Sequence, residues 1–255
     1  MKKLLSLFAL LILTLGFGQL DNIKPGENLH YRIHYGLLNA GTATLSTRTV
    51  TYDGSPHLYV KGVGKSTGAV RAFFKVDDLY ESYINKSSGL PSYYVRNVKE
   101  GGYSQHLTAK FNHRNHSLIL TDKKTPSNGS KQIQTVRGIQ DMLSAFYHLR
   151  GLDSLELRPG RIIKLNVWID DSMFPFQLRV DKIENLKTKF GTISAIKITP
   201  MVLSGRVFKA KESVKMWVSN DRNHVPLLVE AELAVGSLKA SIDNYSGVKY
   251  RLNFN

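Results

Sequence analysis

The sequence predicts a mainly β protein: two similar curved antiparallel sheets or half-barrels with one central amphipathic helix. Three observations predict this fold class. Apolar and polar residues alternate along most of the chain, turn-forming residues separate the alternating segments, and a single stretch has helical periodicity. In the first alternating segment Tyr31, Ile33 and Tyr35 share one face, while the residues between them are polar or charged.

The strands are predicted from this alternation and from the turn residues between them, such as Asp53-Gly54 and Gly101-Gly102. A polar segment containing Pro and Gly, residues 122–131, is predicted to be a mobile loop. The predicted strands are residues 29–35, 42–52, 58–63, 79–84, 92–98, 107–111, 162–169, 176–180, 192–198, 214–218 and 226–234.

One segment has helical rather than alternating spacing. Apolar residues recur there three or four positions apart, and Gly151 stands where a glycine commonly follows a helix. We therefore predict a helix at about residues 136–150. Its buried side chains are expected to be Ile139, Met142, Leu143 and Phe146.

Several short motifs recur at an offset of 134 residues (159 − 25). The matched pairs are Pro25-Gly26 with Pro159-Gly160, Phe74-Lys75 with Phe208-Lys209, and Tyr83-Ile84 with Trp217-Val218. We expect a single mostly-β domain over residues 19–255, built of two repeat-like halves at about 25–121 and 159–250. The loop and the helix would join the two halves.

Residues 1–18 have the features of a cleavable signal peptide. Lys2 and Lys3 precede an apolar run, and small residues end at Gly18, where we expect cleavage. The run is too short to cross a bilayer core comfortably. The chain contains no cysteine, so neither a disulfide nor an acyl-bearing cysteine is expected. The sequence thus predicts a periplasmic protein that is neither a lipoprotein nor membrane-spanning after cleavage, with extracellular export as the alternative.

The chain is basic, with a formal net charge of +15. Loss of the two signal-peptide lysines leaves +13 (33 − 20). This charge favours an anionic partner such as a lipid or lipopolysaccharide. Another envelope protein is the alternative partner. Nucleic acid is not expected, because the sequence predicts export and shows no basic recognition helix.

No motif in the sequence indicates catalysis. Nucleophile elbows, Gly-rich phosphate loops and metal-ligand spacings are missing, and the His30/His34 and His113/His116 pairs do not form a recognised ligand pattern. We therefore expect no catalytic residues, no metal and no cofactor. The sequence favours a non-enzymatic protein, and a hydrolase without a recognisable motif stays as an alternative.

Residues 217–226, WVSNDRNHVP, hold an acid and an imidazole, Asp221 and His224. The matching segment of the first half has Ser87 and Gly89 at those positions. Because the polar turn recurs and the acid and imidazole do not, the segment is interpreted as a hairpin turn rather than a catalytic pair.

The predicted helix carries the best candidate ligand site. Polar groups stand there beside an apolar stripe: Asp141, Ser144, Tyr147 and Arg150. They could bind the headgroup of an amphipathic or anionic envelope component, with Arg150 forming two hydrogen bonds to a phosphate or carboxylate. Alternatively, they anchor the helix by hydrogen bonds. The first hypothesis makes the protein a binding module, and the second suits a structural or assembly partner of another envelope protein.

Several motifs resemble a family of exported bacterial proteins designated domain of unknown function 3108. They are Gly26-Glu27-Asn28-Leu29-His30-Tyr31, Asp78-Leu79-Tyr80-Glu81-Ser82 and the segment from Gln140 to Arg150. The resemblance is collinear over nearly all of the mature chain, and it implies an envelope protein without assigned catalytic residues. The hairpins at Tyr83 and Trp217 also show a fainter similarity to periplasmic lipoprotein carriers, whose open β-barrels wrap helices.

Overall fold

The computed structural model describes residues 20–201, 214–233 and 236–255. The predicted signal peptide, residues 1–18, and the Phe208-Lys209 motif lie outside these residues. The strands are β1 (Asn28–Tyr35), β2 (Leu38–Tyr52), β3 (Ser55–Ser66), β4 (Asp77–Asn85), β5 (Pro91–Glu100), β6 (Tyr103–Asn112), β7 (Ser117–Asp122), β8 (Ser130–Gln134), β9 (Gln140–Asp141), β10 (Ile162–Ile169), β11 (Ser172–Thr188), β12 (Gly191–Pro200), β13 (Val214–Ser219), β14 (Pro226–Glu232) and β15 (Ser237–Ser246). The helices are α1 (Gly68–Phe73) and α2 (Met142–Arg150).

All of these strands belong to one open sheet, ordered β8-β7-β6-β5-β4-β3-β2-β1-β15-β14-β13-β12-β11-β10-β9. Every pairing is antiparallel except the short parallel one between β9 and β10. Sequential strands are neighbours within β1–β8 and within β10–β15, and the β1–β15 pairing joins the two series. The predicted mainly-β half-barrel with a central helix is confirmed, and its two halves are parts of one continuous sheet.

The strand predictions missed β7, β8, β9 and β15. Residues 122–131, predicted to be a mobile loop, include the end of β7 and the start of β8. The β8 sequence SKQIQ lacks apolar alternation because β8 is an edge strand whose side chains are mostly exposed. An edge strand is held by backbone hydrogen bonds on one side and needs no buried face.

The two series of strands follow the same spacing along the chain. Strands β10, β11 and β15 begin 134 residues after β1, β2 and β6 (162 − 28, 172 − 38 and 237 − 103). In the hairpins after β1 and β10, Gly36 and Asp170 both have positive φ, 55° and 56°. Such a backbone is unusual for a residue with a Cβ. We propose from this correspondence that the two halves are repeats of one unit.

Helix α2 packs against both halves of the sheet. Leu143 and Tyr147 belong to a core cluster with Leu58 and Val60 of the first half. Leu149 belongs to another cluster with residues of the second half that include Val180, Ile196 and Ile198. The helix therefore connects the two halves through apolar contacts.

The predicted helix ends correctly, but its predicted start was wrong. It begins at Met142 rather than residue 136, because Gln140 and Asp141 pair with Val167 and Trp168 as β9. Ile139 is buried, although it precedes the helix, and Met142 is 39% exposed rather than buried. Among the described residues, no helix is long and apolar enough to cross a membrane.

Candidate functional site

The first turn of α2 is fixed by a buried capping network. Asp141 Oδ1 accepts a hydrogen bond from the backbone N–H of Ser144 (2.7 Å), and Ser144 Oγ accepts one from the N–H of Asp141 (2.8 Å). Ser82 of β4 donates its hydroxyl to Asp141 Oδ2 at 2.6 Å. This capping box satisfies free N–H groups of the helix and ties the helix to β4.

Burial also changes the acidity of the capping residue. Asp141 is fully buried, and burial raises its pKa to about 6, although hydrogen bonds from Ser144 and Ser82 oppose the shift. The charged carboxylate is therefore less favourable in the folded protein than in the unfolded chain.

The Asp141→Asn variant should remove this pH dependence. In the wild type, the folded state holds the Asp141 proton more tightly, so the stability from this group is complete below pH about 4 and is lost as pH rises through about 6. The wild type should therefore lose on the order of 3 kcal/mol from this group between pH 4 and pH 7, at about 1.4 kcal/mol per pKa unit. Asparagine can still accept the Ser144 hydrogen bond, so the variant should fold.

Urea denaturation of both proteins at pH 4 and pH 7 measures the effect. Other carboxyl groups cancel in the difference between the two unfolding free energies. That difference should move in favour of the variant as the pH rises. A difference independent of pH would contradict a raised pKa at Asp141.

The last turn of α2 is held by a buried ion pair. Arg150 Nη1 and Nη2 donate to Glu27 Oε1 and Oε2 at 2.5 and 2.8 Å, and Arg150 Nε donates to the Asn223 carbonyl at 3.2 Å. Arg150 is 1% exposed and Glu27 is 0% exposed. The two-pronged geometry is the strong form of an arginine–carboxylate pair. It fastens the helix to the start of β1 and to the β13–β14 connection.

Tyr147 packs beside this ion pair. The Arg150 guanidinium lies 5.2 Å from the centre of the Tyr147 ring, and the Tyr147 side chain is fully buried. Burial raises the pKa of the Tyr147 phenol well above its ordinary value. Its hydroxyl has no hydrogen-bond partner among the described residues.

The structure thus places the four residues of the sequence-predicted site at the two ends of one helix. Asp141 and Ser144 interact with each other and with β4, while Tyr147 and Arg150 lie in the network with Glu27. These contacts anchor the helix to the sheet, which was the alternative interpretation of the four residues. Their role in ligand binding remains a prediction. Sequence reasoning missed Glu27, although it lies in one of the motifs that carry the family resemblance.

The segment WVSNDRNHVP forms the connection between β13 and β14. Asp221 Oδ1 accepts hydrogen bonds from Ser219 Oγ (2.8 Å) and the backbone N–H of Asn223 (2.8 Å). The imidazole Nδ1 of His224 contacts the Arg150 carbonyl at 3.0 Å. His224 has a φ of 45° where the first half has Gly89 with a φ of 68°. These contacts are those of a turn, and His224 is a buried part of it rather than a surface residue.

A cleft of about 420 Å³ lies beside α2 and along β10. We call it the α2–β10 cleft, and its lining includes four apolar residues, Leu152, Ile162, Ile163 and Leu165. Its charged lining residues are Arg137, Arg161, Lys164, Glu156 and, where protonated, His148. Burial lowers the pKa of His148. Three permanent positive charges face a single carboxylate, so the cleft combines an apolar surface with a basic one.

Other clefts occur elsewhere on the described surface. One of about 470 Å³ adjoins the β13–β14 turn and is lined by Asp21, Asp153 and Asp221 among others. A larger groove of about 690 Å³ lies at the β2–β3 and β6–β7 hairpins. Within the described ranges, no group of three or more His, Cys, Asp or Glu residues could hold a metal ion.

Comparison with known proteins gives a family and a fold. The sequence matches the family described as protein of unknown function (DUF3108) over residues 30–243. No curated protein matches it. The structure is similar to a β-barrel-like protein of domain of unknown function DUF1849 from Brucella abortus, with a TM-score of 0.56 and 8% identity, covering 90% of this chain and 100% of that one.

A DUF1089 family protein from Pseudomonas aeruginosa matches less well, with a TM-score of 0.37 and 11% identity over 82% of this chain and 92% of its own. That TM-score is too low to bear on the fold. The DUF1849 protein supports the β-barrel-like fold alone, since its sequence identity is only 8%.

Proposed function

The chain belongs to the family of proteins of unknown function DUF3108, and from this premise we propose that it is a non-enzymatic cell-envelope protein that binds an anionic amphipathic component. The proposed binding site is the α2–β10 cleft. The observation that carries the proposal is the lining of this cleft, where Arg137, Arg161 and Lys164 surround apolar side chains beside the helix.

The cleft has the composition that an anionic amphiphile requires. Ligand pockets are mostly apolar with a few placed polar groups, and the volume of about 420 Å³ falls in the usual range for them. Arg137, Arg161 and Lys164 make no side-chain hydrogen bond or ion pair with any other described residue, so their charges are available to a phosphate or carboxylate. The apolar residues would cover part of an acyl chain.

Export of the protein to the periplasm is part of the proposal. It is supported by the charged and apolar pattern of residues 1–18, which lie outside the described residues. In that location, the basic composition of the rest of the chain favours an anionic lipid or lipopolysaccharide as the partner.

A second candidate function is assembly with another envelope protein. The observation in its favour is the edge strand β8, whose side chains are mostly exposed and whose outer backbone groups pair with no other strand among the described residues. A partner strand could add there by β-augmentation. Binding of a lipid in the cleft and strand addition at β8 concern different surfaces, so they can be tested separately.

Charge reversal in the cleft tests the first proposal. Binding of lysophosphatidylglycerol, an anionic amphiphile, and of zwitterionic lysophosphatidylcholine would be measured by calorimetry below their micelle concentrations. The wild type should prefer the anionic lipid. The Arg161→Glu/Lys164→Glu variant should bind it at least about tenfold more weakly, since about 1.4 kcal/mol corresponds to a factor of ten.

The matched control reverses the charge of an exposed lysine that does not line the cleft. Lys99, near the end of β5, is exposed, and Lys99→Glu should leave lipid binding unchanged. If the cleft variant binds the anionic lipid as tightly as the wild type does, the cleft is not the binding site. If the wild type does not bind the anionic lipid, the proposed function is wrong. Arg150 is unsuitable for this test, because its replacement disrupts a buried ion pair.

A further inference from the structure

The largest of the grooves described above lies at one end of the sheet, where successive hairpins turn. We call it the hairpin groove. It has a volume of about 690 Å³ and is formed by the β2–β3, β4–β5 and β6–β7 connections together with β8. It shares no lining residue with the α2–β10 cleft. Its lining differs in kind, because most of the side chains are polar and uncharged.

One aromatic ring in the groove is held rigidly by its neighbours. Tyr52 lies 5.8 Å from Tyr93 in a stacked arrangement, 5.1 Å from Tyr83 and 5.5 Å from His57, measured between ring centres. Tyr83 and Tyr93 face each other on adjacent strands β4 and β5. Aromatic pairs in this distance range stabilise one another. Tyr52 is therefore a preorganised aromatic surface at the groove.

A second rigid element is a pair of histidines whose orientations are fixed by hydrogen bonds. His57 Nδ1 donates to the Ser55 carbonyl (2.9 Å), and its Nε2 lies 2.7 Å from Ser92 Oγ. His113 Nε2 contacts the Pro91 carbonyl at 2.6 Å, and its ring stacks on Phe111 at 5.8 Å. Both imidazoles are thereby held in a fixed orientation.

Four side-chain amides complete the groove: Asn85, Asn112, Asn115 and Gln132. Asn85 Oδ1 accepts from Ser87 N (3.0 Å), and Asn112 Oδ1 accepts from Asn115 N (3.2 Å), which leaves both NH₂ groups without a described partner. The side chains of Asn115 and Gln132 form no hydrogen bond with described residues. An amide offers a donor and an acceptor side by side.

We propose that the hairpin groove binds a saccharide chain. Adjacent donors and acceptors match the neighbouring hydroxyl groups of a sugar, each of which both donates and accepts. The electron-rich face of Tyr52 suits the polarised C–H groups on the face of a pyranose ring. An acyl chain would leave these amides unpaired, which costs free energy, so the groove does not suit a lipid tail.

The groove also carries two positive charges, Lys110 and Arg114, and one negative charge, Asp53. The positive charges make no ion pair with any described residue. A sugar acid could therefore be preferred over a neutral sugar. The experiment separates these two cases.

Three tetrasaccharides serve as probes: neutral maltotetraose, N-acetylated chitotetraose and acidic tetragalacturonate. Each is titrated to millimolar concentration into the full-length mature protein, with calorimetry and two-dimensional NMR as readouts. At least one should bind, with shifts confined to residues of the groove. The Tyr52→Leu and Asn115→Ala/Gln132→Ala variants should weaken that binding at least about tenfold.

Two controls separate binding from folding. Tyr52→Phe keeps the ring and should bind as the wild type does. Tyr245→Leu alters another aromatic cluster, with Phe190 at 5.1 Å, and should also leave saccharide binding unchanged. The Arg161→Glu/Lys164→Glu variant should bind saccharides as the wild type does. A failure of the lipid proposal can therefore be distinguished from a failure of the saccharide proposal. Lack of binding to all three probes, or undiminished binding by Tyr52→Leu, overturns the inference.

Discussion

The Arg150→Ala variant is expected to lose about 3–5 kcal/mol of unfolding free energy, because it leaves a buried carboxylate without its partner. Glu27 is fully buried, and both of its carboxylate oxygens accept hydrogen bonds from Arg150. The substitution also removes the hydrogen bond from Nε to the Asn223 carbonyl. The side-chain ties from the last turn of α2 to Glu27 and Asn223 are thereby lost, while the backbone carbonyl of residue 150 keeps its contact with His224.

Urea denaturation at neutral pH measures the loss. Arg222→Ala is the matched control, because Arg222 is exposed and its guanidinium lies 4.3 Å from the Tyr250 ring. Exposed contacts of this kind contribute about 0.5–1 kcal/mol. The double variant Arg150→Met/Glu27→Leu removes both charges and should recover much of the loss. Equal stabilities of Arg150→Ala and Arg222→Ala would rule out the ion pair as a structural element.

The Leu143→Asp variant is expected to be destabilised by several kcal/mol and to accumulate as aggregate. Leu143 is 9% exposed and lies in the core cluster with Leu58, Val60 and Ile84. Burying a side chain of this size contributes roughly 1.5–3 kcal/mol, and an unpaired carboxylate in its place adds a desolvation cost. The soluble yield and the urea midpoint of the refolded protein check the expectation.

Its neighbour in sequence provides the control. Met142 is 39% exposed and is the first residue of α2. Met142→Asp places a negative charge at the helix N-terminus, where it is favourable, so its effect should lie within about 0.5 kcal/mol of zero or be stabilising. If both variants fold equally well, the packing of α2 against the first half of the sheet is not required for stability.

Local patterns in the sequence were sufficient for most of the fold. Strand β1 was predicted nearly to its ends because most of its residues alternate in exposure, and β10 because its first five residues alternate between exposed and partly buried. The end of α2 was predicted from Gly151, which lies at its C-cap. Strand β8 was missed because an edge strand with polar side chains carries no such alternation.

The contacts that define the candidate sites could not be predicted in this way. The start of α2 depends on the pairing of Gln140 with Val167, which lies in a separate strand. Glu27 has its partner 123 residues away, and no local pattern indicates that Arg150 faces it. The basic lining of the α2–β10 cleft likewise combines Arg137, Arg161 and Lys164 from two separate segments of the chain. Such contacts depend on how the sheet curves, which local periodicity does not encode.

The pairing of β1 with β15 affects the order in which the chain can fold. Leu29 of β1 faces Tyr245 of β15, so the first strand of the sheet meets the last only after almost the whole chain is available. Contacts of such large sequence separation slow folding. Until β15 arrives, one backbone edge of β1 is open to other chains. His30, Arg32 and His34 alternate along that strand, and polar or charged side chains of this kind oppose edge-to-edge association during the delay.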